Sequence, residues 1–286
     1  MAGRLELTTM IATAEYEFIR QLVYDRSRIN LGPDKMELVC SRLRKRARAL
    51  QLDGVDAYIE LIRSPDGSDE ITGLMDAIST NVTDFFREPD HFDYLRRTVL
   101  PEWERAKGRK PGEAFRAWSA ACSSGEEPYS LAITLAEHFR KHAPRDWEIV
   151  ASDISTRMLS CAKEGIYAQE RVQLPDTDLL QRYFQKGTGR YEGCYRIKSE
   201  LRGGVSFRHI NLFQTPYPFT EKFHVIFCRN VMIYFDRKTQ EQLVPRLRDQ
   251  LASGGCLFVG HSESLIGIDG ELKCIRPSIY RCGQTD

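Results

Sequence analysis

FRAWSAACSSGEEPYSLAITLAEHFRKHAPRDWEIVASD, residues 115–153, carries the pattern that decides the fold. FRAWSAA (115–121) is a short apolar run of the kind that fills a buried strand, and CSSGEE (122–127) is a turn. PYSLAITLAEHFRKH (128–142) is a helix with proline at its first position, and WEIVASD (147–153) is a second strand. Strand, helix, strand is a βαβ unit, whose strands lie parallel because the helix carries the chain back to its starting end. In such sheets the ligand lies beyond the carboxyl ends of the strands, at the switch point beside the first strand. The candidate site therefore begins at the turn 122–127 and at Asp153, which ends the second strand 28 residues after Gly125.

The pattern repeats toward the C-terminus. A helix from about 156 to 163 precedes VSFRHINL (205–212) and FHVIFCRN (223–230), which read as a third and a fourth strand. A helix from 237 to about 251 is expected to stop at Gly254-Gly255, before a fifth strand CLFVGHS (256–262). ELKCIRPSIYRC (271–282) adds extended structure whose last strand, reached by a short loop, pairs antiparallel. This is an α/β order: a mainly parallel, Rossmann-like sheet covered by helices on both faces. Between the second and third strands the chain runs far longer than the ~2 to 6 residues of an ordinary connection. That insertion, about 165–203 with KGTGRYEG (186–193) and CYRIK (194–198), is expected to be a small β-subdomain.

Upstream, residues 13–81 carry apolar residues at helical spacing, broken at Gly32-Pro33, Asp53-Gly54 and Ser64-Pro65-Asp66-Gly67. The expected division is an all-helical N-terminal domain (1–80), an interdomain linker and helix (81–110), and the Rossmann-like domain with its insertion (111–286). In the second helix Met36, Val39, Leu43, Ala47 and Leu50 share one arc, while Arg42, Arg44, Lys45, Arg46 and Arg48 flank or oppose it. Such a face is either simply solvated or a dock for an acidic partner.

The 286 residues are 42% apolar and 28% charged, which suits a water-soluble globular chain. No window reaches the ~18 apolar residues of a spanning helix, and MAGRLELTT lacks the apolar core of a signal peptide, so a cytoplasmic protein is expected. Eight scattered cysteines, with no CxxC and no Cys/His cluster at zinc spacing, read as reduced thiols and give no metal site. A net charge of +1 argues against wholesale binding to nucleic acid.

An acid at the end of the second strand can accept hydrogen bonds from both ribose hydroxyls of an adenosine cofactor, although Asp153 alone is equally a helix cap. A pyrophosphate needs a glycine-rich first turn; SSGEEP has one glycine, and Glu126 and Glu127 would repel a diphosphate. One of these acids can instead complement the ammonium or sulfonium of S-adenosylmethionine, so the turn favours a methyl donor over a dinucleotide. Two further segments converge here. In NVTDFFREPDHF (81–92) Thr83 and Arg87 share a side if the piece is helical, with packing of Phe85, Phe86 and Phe92 as the plainer reading. In CRNVMIYF (228–235) the polar Arg229, Asn230 and Tyr234 stand where the fourth strand emerges, or are no more than a strand end.

NVTDFFRE, WSAACSSGEEPYS, ASDIS, QRYFQKGTG, INLF, IFCRNVMIYFD and GHSES, in this order, resemble the blocks of the CheR chemotaxis-receptor methyltransferases over about residues 13–280. The resemblance implies an S-adenosylmethionine-dependent methyltransferase sheet with a small all-α N-terminal domain and an inserted β-subdomain. It implies cofactor contacts from Asn81, Thr83, Arg87, Glu127, Asp153, Asn211, Leu212, Arg229 and Asn230, with Arg87 and Tyr234 near the reacting methyl group. The implied reaction makes a glutamyl methyl ester and S-adenosylhomocysteine from a glutamate on a chemoreceptor's cytoplasmic helices. Such a glutamate, with an unperturbed pKa of ~4.3, is already an ionised nucleophile, so no general base is needed and His209 and His261 read as structural. Receptor helices of this kind are acidic, and Arg42, Lys45, Arg46 and Arg48 could dock them; a receptor C-terminal peptide could add to the β-subdomain near Arg190 and Arg196. The rival readings are a nucleic-acid methyltransferase, for which CRNVMIY lacks a Pro-Pro-aromatic clamp, and a cofactor-binding scaffold without turnover.

Overall fold

A computed structural model describes residues 11–106, 112–140 and 146–283, and the chain divides into two units, 1–80 and 81–286. The first holds α1 (Thr13–Ser27), α2 (Met36–Ala49), α3 (Gly54–Arg63) and α4 (Glu70–Ile78). Val39, Leu43 and Ala47, spaced four apart, put one face of α2 into a core with Tyr16, Ile19, Tyr58, Ile59 and Leu74.

The basic face of α2 is not uniform. Arg46 pairs with Glu70 on α4, its Nη2 donating to Oε2 at 2.7 Å, and the buried Tyr58 donates to Glu70 Oε1 at 2.8 Å. Burial pushes the Glu70 carboxyl up, but the Arg46 and Tyr58 hydrogen bonds outweigh it and hold it below its ordinary value. Arg42 donates to the Ile78 carbonyl at the end of α4 and to Thr80 Oγ1 at 3.0 Å. Lys45 and Arg48 are exposed, so of the four residues expected to dock a partner, two are tied into the unit itself. Arg46→Ala is therefore expected to cost the protein about 1–2 kcal/mol in urea unfolding, against less than about 0.5 for Arg48→Ala. Equal losses would mean the Glu70 pair adds nothing to stability.

The second unit opens with an irregular stretch, 81–88, then α5 (Pro89–Tyr94), a π-helical turn (Leu95–Val99) and α6 (Leu100–Arg105). The βαβ unit follows as β1 (Phe115–Ala120), α7 (Glu126–His138) and β2 (Trp147–Asp153); α7 begins two residues before the expected Pro128 and ends at His138, short of the expected 142, while 141–142 lie outside the described residues. After α8 (Thr156–Glu164) the insertion supplies β3 (Ile166–Ala168), α9 (Thr177–Tyr183), β4 (Phe184–Lys186), β5 (Cys194–Ile197) and α10 (Ser199–Arg202). Its strands form a separate antiparallel sheet in the order β3-β5-β4. The chain then returns through β6 (Val205–His209), β7 (Phe223–Phe227), α11 (Arg237–Arg248), β8 (Leu251–Phe258), β9 (Leu272–Arg276) and β10 (Ile279–Cys282).

The main sheet runs β6-β2-β1-β7-β8-β10-β9, parallel through β8, with β10 antiparallel to both its neighbours. β1 lies between β2 and β7, where the order turns back on itself, so the ends of β2, β1 and β7 define the switch point. Both its faces are covered: Phe115 and Ala117 join the large core with Leu131, Leu135 and Phe227, while Trp118 packs on Tyr217, Phe219 and Phe223.

Three further expected boundaries shift. The third and fourth strands stop at His209 and Phe227, leaving residues 210–212 and 228–230 as irregular segments beyond the strands. Gly254-Gly255 does not end α11, which stops at Arg248; the pair lies inside β8. There Leu251 pairs with Phe223 and Cys256 with Val225, so the extra residues bulge. Gly254 adopts φ +72°, and a Cβ on Gly255 would stand 2.9 Å from the Ala252 carbonyl oxygen, so the glycines are needed for the bulge instead of a cap.

Candidate cofactor and active site

The turn after β1 is strained. Ala121 (φ 70°), Ser123 (φ 48°) and Gly125 (φ 101°) are all left-handed, which for the first two costs of order 1–3 kcal/mol each. Neighbouring segments hold it in that shape. Cys122 N donates to the Ser152 carbonyl at 2.8 Å, Ser123 N to Asp153 Oδ2 at 2.8 Å, and the Tyr167 hydroxyl of β3 to the Ser124 carbonyl at 2.8 Å. A Cβ on Gly125 would come within 2.8 Å of Ala162 Cβ and the Tyr167 hydroxyl, so this one glycine is required by packing as well as by φ.

Asp153 is buried, and its second oxygen accepts from Ser155 N at 2.8 Å. It is not the cap of α8: Ser155 is, accepting from Met158 N at 3.1 Å. Asp153 Oδ2 and Oδ1 thus accept from the backbone N–H groups of Ser123 and Ser155, which ties the end of β2 to the turn after β1.

The two acids of the turn part company. Glu126 has no exposure, accepts from Ser124 Oγ at 2.7 Å and pairs with Arg171 of the insertion, so it fastens the β-subdomain to the turn. Glu127 accepts from Ser119 Oγ at 2.7 Å and from Arg229 Nη1 at 3.3 Å. Burial raises both carboxyls, opposed in Glu126 by the Ser124 bond and the Arg171 charge, and in Glu127 by the Arg229 charge and the Ser119 bond.

Residues 81–88 are not helical, which corrects the idea that Thr83 and Arg87 share a helix side; Phe86 (φ 52°) and Glu88 (φ 56°) turn the chain sharply. The loop is fixed by Phe86 N donating to Ser130 Oγ at 2.9 Å, by Ser123 Oγ donating to the Asn81 carbonyl at 3.2 Å, and by Arg87 Nη1 donating to the Val82 carbonyl at 3.0 Å. Phe85 packs edge-on against Tyr167 and Phe184, so the packing reading of this segment also holds.

Arg229 leaves the end of β7 with a side chain only 1% exposed. Its Nε and Nη2 donate to Glu88 Oε2 at 3.2 and 2.8 Å, its Nη2 also to the Arg87 carbonyl, and its guanidinium lies over the rings of Phe92 and Phe227. Asn230 (φ 55°) donates from Nδ2 to Glu88 Oε1 at 3.2 Å and from its backbone N to Glu263 Oε2 at 2.9 Å. The Arg229 and Asn230 side chains are therefore committed to the protein. Asn211, beyond β6, accepts from Phe213 N at 2.9 Å through Oδ1, Leu212 is buried beside it, and half-buried Tyr234 lies on the turn Met232–Tyr234.

Two residues of this edge escaped the sequence reading. Glu88 gathers Arg229, Asn230 and His261 N (3.1 Å); burial raises its carboxyl, but the Arg229 charge and these bonds win and bring it to about 2. Buried Glu263 accepts from the backbone N–H groups of Gly260, Asn230 and Ile233, stapling the end of β7 to the end of β8. Both are surface-type residues in sequence, and only an acid-proline step at 88–89 and an acid inside GHSES hint at them. The same edge holds His91, which has no exposure; burial and the Arg229 charge push its pKa down to about 4.

A mainly parallel sheet with a single-glycine first turn, a hydrogen-bonded acid ending β2 and a second acid opening α7 defines a Rossmann-like domain of the S-adenosylmethionine-dependent methyltransferase class. The chain belongs to the CheR methyltransferase family: its SAM binding domain matches residues 81–280 and its all-alpha domain residues 14–79. The chain is 41% identical over 278 residues to a chemotaxis protein methyltransferase of Salmonella typhimurium, covering 96% of this chain and 93% of that one. It is 40% identical to the Escherichia coli protein of the same name (96% and 94% covered) and 38% identical to chemotaxis protein methyltransferase 2 of Pseudomonas aeruginosa (93% and 92%).

Because the Glu88 carboxyl lies near 2 in the folded protein against an ordinary 4.5, its contribution to stability is complete above pH 4.5 and is lost as the pH falls toward 2. The difference in unfolding free energy between the native protein and Glu88→Gln is expected to be of order 3 kcal/mol at neutral pH and to shrink through that window. A difference independent of pH would remove the charge from the explanation.

Proposed function

We propose that the protein is a protein-glutamate O-methyltransferase of the cytoplasm, converting glutamate side chains on the cytoplasmic helices of chemoreceptors to methyl esters in chemotaxis adaptation. The observation that carries this reading is the buried Asp153, held by Ser123 N and Ser155 N at the switch point of a CheR-family sheet. S-adenosylmethionine, when bound, supplies an electrophilic methyl group on a sulfonium and leaves as S-adenosylhomocysteine. Asp153 receives the ribose hydroxyls, and Glu127 sets a negative charge toward the positive end of the cofactor. Asn81, Thr83, Asn211, Leu212, Arg229 and Asn230 complete its bed, the last two through their backbone, since their side chains serve Glu88 and Glu127.

The substrate carboxylate is its own nucleophile at neutral pH, so the chemistry asks for no base and no metal. What remains for the chain is to hold the carboxylate in line and keep water out. Arg87, anchored to Val82, is the orienting group, and Tyr234 guides by hydrogen bonding. A firmer clamp on the carboxylate would stabilise the ground state and slow the reaction. Docking of an acidic receptor helix falls to the exposed Lys45 and Arg48, with Arg42 and Arg46 contributing from half-buried positions. An extended receptor-tail peptide could add to an edge of the β3-β5-β4 sheet.

Incubation with methyl-labelled S-adenosylmethionine and receptor fragments is expected to give label that mild base releases as methanol; base-stable label, or none, would refute ester formation. Arg87→Ala is expected to lower turnover at least about tenfold while Asp153→Asn weakens cofactor binding by about 10- to 100-fold in calorimetry. Full activity with normal cofactor affinity in Arg87→Ala would withdraw its orienting role.

A further inference from the structure

Behind the network of Glu88, three side chains gather that the methyl-transfer reading does not use as such. Glu88, His91 and His261 each offer a ligand atom, and these atoms all lie within 4.8 Å of one another. His91 is the informative member. It has no exposure, yet its Nδ1 has no hydrogen-bond partner. Its Nε2 lies 2.8 Å from Ser278 Oγ, whose own hydroxyl donates to the Pro277 carbonyl at 2.6 Å. With the hydroxyl proton spent there, Ser278 Oγ can only accept, which places the ring proton on Nε2 and leaves Nδ1 a bare lone pair. A buried bare lone pair costs free energy unless something electrophilic meets it.

Nδ1 stands 3.5 Å from Glu88 Oε2, too far for a good hydrogen bond even with the opposite tautomer. It is, however, close to the roughly 3.3 Å that separates two ligand atoms on one tetrahedral zinc ion with bonds of about 2.0–2.1 Å. Ser278 does for His91 what a supporting acceptor does for a metal-bound imidazole, fixing the tautomer through the far nitrogen. Asp90 stands 3.1 Å from His261 Nε2 and can play the same part or supply a fourth oxygen. The His261 and Asp90 side chains are 49% and 60% exposed, so an ion can enter from solvent and His261 can move to close the set. Glu88 and Asp90 together outweigh the single charge of Arg229, which would share Oε2 with the ion.

We propose that Glu88, His91 and His261, supported by Ser278 and Asp90, form a binding site for one divalent transition-metal ion of the zinc type, apart from the methyl-transfer chemistry. The chelator-treated full-length protein is to be titrated with Zn2+ by equilibrium dialysis and with Co2+ by visible absorption. One ion per chain is expected, with d–d bands of a four-coordinate N/O set, and at least a tenfold weaker affinity in His261→Ala, whose exposed side chain can be removed without opening the core. His91→Gln, checked for folding by circular dichroism, is expected to lose binding as well. No saturable binding, unchanged affinity in His261→Ala, or a thiolate charge-transfer band marking a cysteine site would overturn the assignment.

Discussion

The constraint on which the site depends is the burial of one charge. Arg229 lies almost wholly out of water, and an unpaired guanidinium there would cost several kcal/mol. Its partners come from parts of the chain far from it in sequence: Glu88 and the Arg87 carbonyl from the loop before α5, and Glu127 from the first turn of α7. Satisfying this charge therefore forces the loop, the start of α7 and the exit of β7 together at the carboxyl end of the sheet's middle strand. Glu88 extends the network to Asn230 and His261, and Glu263 locks the neighbouring backbone from the other side. Removing one partner would leave the others buried and unbalanced, which is why such networks are sensitive to single changes.

Strain at the first turn is held by the same logic. Ala121 and Ser123 sit in a backbone region that non-glycine residues avoid, and they stay there because Asp153, Ser152 and Tyr167 take up the N–H and C=O groups that the turn exposes. Tyr167 and Arg171 belong to the insertion, so the β-subdomain is fastened through Ser124 and Glu126 to the turn expected to cradle the cofactor. The pair of acids in SSGEEP is thereby divided between an architectural role and one facing Arg229 and Ser119.

A similar division runs through the helical unit. The periodicity of α2 places its basic residues off the core face, and that much holds, yet Arg42 and Arg46 use their charge on the Ile78 carbonyl and Glu70. Charge on a helix face is legible in sequence; whether a neighbouring helix already answers it is not, because Glu70 lies 24 residues away and on another helix.

The alternation of strands and helices, the inserted sheet and the antiparallel last strand were legible in the residues alone. They were legible there because hydrophobic period, proline and glycine act locally, and because several long blocks stand in one order. Only the folded chain shows that 81–88 is a loop and not a helix, that Gly254-Gly255 lies in a bulge, and that Ser155 and not Asp153 caps α8. It alone revealed Glu88 and Glu263, acids whose meaning comes from the buried N–H groups and guanidinium around them. The physical reason is the same throughout: burial and hydrogen-bond satisfaction are properties of the folded neighbourhood, and residues 88, 127 and 229 become neighbours only after the sheet has formed.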